Sequence, residues 1–69
     1  MAKGFFLATL ADANTLVKKY DQQTGAYETT TTETAAWFTP SASAAEAAKN
    51  FINSLHPVSE SVQTKAGNQ

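Results

Sequence analysis

With 69 residues, a formal charge of −1 and 42% apolar residues, the chain is sized for one small domain, near the limit where a single core suffices. Thirteen of its 29 apolar residues are alanine, which leaves 16 side chains able to bury much surface. There is no cysteine, so disulfides and thiolate metal sites are excluded. All five basic residues are lysines, which disfavours a nucleic-acid surface built on bidentate arginines. No apolar run approaches the ~18 residues a membrane helix needs.

Residues 4 to 10, with Phe5, Phe6, Leu7 and Leu10, read as a first strand bounded by the turn residues Asp12 and Asn14. The same stretch, with Lys3 before it and Ala11-Asp12-Ala13 after it, mimics a signal peptide and would make the protein secreted. Its apolar run is short and broken by Thr9, and cleavage would remove a strand that the next one needs. The expectation is therefore a cytoplasmic protein that keeps the segment as a strand.

Residues 14 to 20 form the second predicted strand and the third begins at Ala26. Between them, Asp21 can accept backbone N–H groups of a turn and Gly25 can supply a positive φ. The spacing Tyr20-Asp21-x-x-Thr24-Gly25 resembles the loops of small designed hairpin peptides, a likeness confined to the turn. It predicts Tyr20 opposite Tyr27, Lys19 opposite Glu28, Val17 opposite Thr30 and Thr15 opposite Thr32. Tyr–Tyr and Lys–Glu are favourable cross-strand pairs, worth about 0.2–1 kcal/mol each.

A tight turn at Asp12-Ala13 would extend the register to the first strand, with Leu16 opposite Thr9 and Tyr20 opposite Phe5. One face would then carry Phe5, Leu7, Leu16, Tyr20 and Tyr27, and the other Phe6, Ala8, Leu10 and Val17. Trp37 and Phe38 end the third strand or make a short fourth, and residues 39 to 42 connect to a helix.

Ser43 to Glu46 has the spacing of a capping box, and Ala44, Ala48, Phe51, Ile52 and Leu55 recur at helical intervals. His56 suits the negative end of the helix dipole and Pro57 stops the helix. The expected fold is thus α+β: a three-stranded antiparallel meander followed by one helix packed on one face (β-β-β-α), all within residues 1–57. Residues 58–69 are expected to be a polar segment with room for a short strand over 61–65 and a frayed end over 66–69.

Catalytic chemistry finds little support. His56 is the only histidine, and no serine sits in a recognisable nucleophile turn. Asp12, Asp21, Glu28 and Glu46 all have turn, pairing or capping roles, which leaves Glu33 and Glu60 far apart. The expectation is a non-enzymatic protein with neither metal nor cofactor.

The run of threonines from 29 to 32 suits a strand, and on an exposed edge its backbone would be free to pair with a partner strand. One helix covers only one face of an antiparallel sheet, so the other face would remain for a partner. The candidate contact residues are Phe6, Leu10, Val17, Lys19, Thr30, Thr32 and Trp37. In size, topology and lack of a catalytic constellation the chain resembles small accessory proteins of phages and other mobile elements, including inhibitors of host enzymes. That resemblance implies a protein-binding module that masks a partner's surface. A structural homo-oligomer and a weak single-stranded nucleic-acid binder using exposed aromatics with Lys18 and Lys19 are the alternatives. The expected partner is another protein or a second copy, with nucleic acid disfavoured and no membrane.

Overall fold

The first strand, β1 (Lys3–Thr9), carries the uninterrupted run Phe6, Leu7, Ala8, all three fully buried in the computed structural model, which describes residues 2–69. A strand buried on both faces must be covered on both and paired along both edges. On one edge it pairs along its whole length with β5 (Val62–Asn68), from Lys3 opposite Asn68 to Thr9 opposite Val62. The other edge is shared. β2 (Leu16–Tyr20) meets it at Ala8, and the two-residue β4 (Phe38–Thr39) pairs with Phe5 and Phe6. β3 (Tyr27–Thr30) pairs with β2, and all these pairings are antiparallel. With the single helix α1 (Ala42–Leu55) the fold is α+β; the expected antiparallel meander β1-β2-β3 is present, and β4 and β5 extend it to five strands.

The C-terminal segment is the main departure from expectation. Residues 66 to 69 do not fray: β5 runs to Asn68, and Ala2 and Gln69 exchange two backbone hydrogen bonds beyond it, at 2.9 and 3.0 Å. Polar composition made this stretch look like a tail, but the buried β1 needs a partner on its second edge and β5 supplies it.

The hairpin forms as its turn chemistry dictates near the tip. Asp21 Oδ1 accepts the N–H of Gln23 at 2.7 Å, Gly25 has φ +76, Tyr20 lies opposite Tyr27, and Lys19 pairs with Glu28 at 3.3 Å. Beyond that the register departs from expectation twice. The loop after β1 is one residue longer than a tight turn, because Asp12 braces it with the N–H of Asn14 at 2.9 Å and the hydroxyl of Thr15 at 3.1 Å. Leu16 therefore lies opposite Ala8, not Thr9. A β-bulge at Lys18 then shifts the β2–β3 ladder, so Val17 faces Thr29 and Leu16 faces Thr30. The first shift exchanges Leu16 and Val17 between faces, and the bulge returns Tyr20 and Tyr27 to the helix side.

Two cores result. On the helix side Leu7, Val17, Ala48, Ile52 and Val62 form the buried cluster, with Tyr20, Tyr27, Trp37 and Phe51 packed around it. Fully burying each of the larger aliphatics contributes about 1.5–3 kcal/mol. The inward helix stripe is Ala45, Ala48 and Ile52 with Phe51 packed beside it; of the expected stripe, Ala44 is exposed and Leu55 is half-exposed against Gly25. The N-cap is Ser41, whose hydroxyl accepts the Ala44 N–H at 3.2 Å, and not Ser43. Glu46 makes no capping box but pairs with Lys49 at 2.6 Å.

On the opposite side Phe6, Ala8, Leu16 and Ala36 form the second cluster, with the Phe38 ring 5.0 Å from that of Phe6. The link between β3 and β4, with a 3₁₀ turn at Glu33–Ala35, crosses this face and brings Ala36 into it. Gln69 holds the link by donating its side-chain amide to the carbonyls of Glu33 (2.9 Å) and Ala36 (3.2 Å). The face expected to stay open is therefore closed by the chain itself.

Candidate functional site: the strand edges and the hairpin clamp

Closure of both faces redistributes the candidate contact residues. Phe6 and Val17, expected outward, are each 0% exposed and belong to the two cores. Trp37 is half-buried on the helix side, its ring 6.2 Å from that of Tyr20. Thr30 is half-buried opposite Leu16, and the exposed Thr32 donates its N–H to the Thr30 hydroxyl at 3.1 Å. Lys19 is exposed in its pair with Glu28, and Leu10 is exposed just past the end of β1. Two core residues, one half-buried aromatic and scattered exposed positions do not make one surface. Of the seven aromatic residues Phe6 is buried and the other six are half-buried.

The sheet edges are different. In an antiparallel ladder, alternate residues direct both peptide groups towards the neighbour and the rest direct them away. Leu10 donates its N–H to Ser61, and Ala2 and Gln69 bond reciprocally, which fixes residues 61, 63, 65, 67 and 69 as facing β1. Val62, Thr64, Ala66 and Asn68 consequently direct their peptide groups outward. Val62 is already satisfied: the Asn53 side chain donates to its carbonyl at 3.0 Å and accepts its N–H at 2.8 Å. Among the described residues, the outward groups of Thr64, Ala66 and Asn68 have no partner.

The same reasoning applies to β3. Asp21 donates its N–H to Ala26 at 2.8 Å, so Lys19 and Glu28 face each other while Tyr27 and Thr29 turn outward, unpaired. A shallow hollow beside the β5 edge is lined by Phe5, Pro40, Ala66 and Asn68 among others.

His56 forms the other concentrated group of polar contacts. It is the C-cap of α1, and its ring is held between the Gly25 carbonyl on Nε2 and the Glu60 carboxylate, 3.1 Å from Nδ1. The Tyr27 ring lies 5.2 Å from the imidazole and its hydroxyl donates to the Glu60 carbonyl at 3.0 Å. Two acceptors flank the ring, so Nε2–H donates to Gly25 and protonation of Nδ1 is favoured. The Gly25 bond foremost, then Glu60, raises the His56 pKa above the usual imidazole value. Burial, with the Glu60 charge, raises that of Tyr27. Backbone N–H groups of Gln23 and Thr24 hold Asp21 below the usual carboxylate range.

This arrangement is a clamp. Both imidazole nitrogens are engaged and no serine hydroxyl bonds the ring among the described residues, so His56 ties the hairpin tip to the helix end. The described residues bring no three of His, Asp and Glu together as metal ligands. No described helix is long and apolar enough to cross a membrane.

Sequence reasoning expected a short strand over 61–65 but missed its extension to Asn68, the Asn53 stop and the His56 clamp. Alternation in Val62-Gln63-Thr64-Lys65-Ala66 was the available signal for β5; nothing local marks Asn53. Comparison with family models, curated proteins and solved structures finds no match to this chain.

Proposed function

We propose that the chain is a non-enzymatic protein-binding module, of the adaptor or inhibitor kind, that engages another protein by adding a strand to an open edge of its sheet. The observation that carries this is the contrast between closed faces and open edges. Core residues are buried on both sides, whereas Tyr27, Thr29, Thr64, Ala66 and Asn68 present peptide groups outward without a partner. A partner strand would exchange water on those groups for main-chain hydrogen bonds, with side chains supplying only selectivity. That mode suits a surface with no arginine, no exposed aromatic and a charge of −1.

The test is affinity capture from cells of the source, comparing the wild type with Thr29→Pro, Ala66→Pro and Leu10→Ser. Proline at an outward edge position removes a free donor without breaking the ladder inside the sheet. Capture of a specific protein by the wild type and Leu10→Ser, lost in one folded proline variant, is the expected result. Undiminished capture by both proline variants contradicts edge recognition.

A further inference from the structure

Building on the edge-pairing function, we propose that the outer edge of β5 pairs with the same edge of a second copy, antiparallel about a two-fold axis at Ala66. Natural sheets guard their edges with short strands, bulges, prolines or outward charges. β3 has such guards: it is four residues long, faces a bulged strand and carries Glu28. β5 has none of them. It is seven residues long, in unbroken register with β1 and free of proline. Its one charge, the Lys65 ammonium, is turned to the Ala13 carbonyl at 3.0 Å.

The register follows from which peptide groups of β5 face outward. Two copies must place outward residues opposite outward residues, so the two-fold falls at position 64 to 68 in steps that keep this parity. Centring on Ala66 sets Thr64 opposite Asn68 of the second copy, with Ala66 opposite its own counterpart. On the other face Lys65 then meets Gly67 and Gln63 meets Gln69, so no like charges are opposed.

Centring one residue earlier sets the two Lys65 side chains opposite each other. It also requires the Val62 peptide groups, which Asn53 already occupies. Centring one residue later shortens the ladder to residues 65–69. Only the Ala66 centre uses every free outward group and stops where Asn53 closes the edge. A two-fold interface of this kind is self-complementary and closes after two copies.

Sedimentation across a concentration series reads the dimer. Ala66 is exposed, so Ala66→Lys and Ala66→Glu leave the fold intact while setting like charges against each other. Each variant alone is expected to weaken association about tenfold or more, and an equimolar mixture of the two to restore it. The chain has no cysteine, which allows a second reading of the register. Cα atoms of a hydrogen-bonded antiparallel pair lie about 5.5 Å apart, within disulfide reach. Under glutathione disulfide, Ala66→Cys should cross-link between copies faster than Thr64→Cys. A wild type that stays monomeric into the millimolar range, or a dimer indifferent to both charge variants, overturns the proposal. Cross-linking at 64 as fast as at 66 overturns its register. Loss of self-pairing with proline-sensitive capture retained leaves the protein-binding function standing, so the two failures are distinguishable.

Discussion

Replacing Phe6 by alanine decides whether the second face of the sheet is closed. Phe6 is 0% exposed, its ring stacks in a tilted contact on Phe38 at 5.0 Å, and it lies so close over Gly67 that a Cβ there would come within 2.8 Å of it. Truncating a buried phenylalanine costs about 3–5 kcal/mol, and loss of the aromatic pair is part of that loss. Marginal stability of about 0.05–0.15 kcal/mol per residue gives a chain of 69 residues about 3–10 kcal/mol in total. Phe6→Ala should therefore lose about 3–5 kcal/mol, a third or more of the total stability, and Phe6→Leu about 1–2 kcal/mol. Urea titration followed by far-ultraviolet dichroism and Trp37 fluorescence measures both. A Phe6→Ala protein within ~0.5 kcal/mol of wild type, the range of an ordinary surface change, would show that the 31–37 link does not cover this face.

The helix cap gives a sharp pairwise contrast: Ser41→Ala should cost about 0.5–2 kcal/mol and Ser43→Ala less than ~0.5 kcal/mol in the same titration. Gly25→Val should cost more than ~1 kcal/mol, since φ is +76 and the added Cβ would meet Leu55 Cδ1 at 2.9 Å. The pH dependence follows from His56, whose folded pKa lies above its ordinary value. Its contribution is fully present below the unfolded imidazole pKa of about 6.5 and is lost as pH rises through the folded value. Stability measured from pH 6 to 9 should fall in the wild type and flatten in His56→Gln.

What the sequence disclosed is local. The hairpin tip was legible because Asp21, Gly25 and the adjacent Tyr20–Tyr27 and Lys19–Glu28 pairs are fixed within a few residues of the turn. Each further step away lost register, once at the Asp12 loop and once at the Lys18 bulge, neither of which has a sequence signature. The consequence for Val17 was complete, since a one-residue slip moves a side chain to the opposite face. Ser41 and Ser43 are equally good caps by residue type, and the Glu46 that favoured Ser43 found Lys49 instead. The short strand foreseen over 61–65 runs on to Asn68, and its length was hidden for a different reason: its partner lies about sixty positions earlier, and its need arises from β1, not from its own polar residues. The run Phe6, Leu7, Ala8 was the clue, because a strand apolar on both faces is a central strand with two edges to fill.

Amide hydrogen exchange along β5, recorded by NMR at low and high protein concentration, tests the arrangement most directly. In dilute solution Gln63, Lys65 and Gly67, whose N–H groups face β1, should exchange slowly, while Thr64, Ala66 and Asn68 exchange fast. Raising the concentration should slow the second set alone. Uniformly fast exchange from 63 to 68 would mean that the segment is a frayed tail, and an alternation unmoved by concentration would mean that the open edge does not pair with itself.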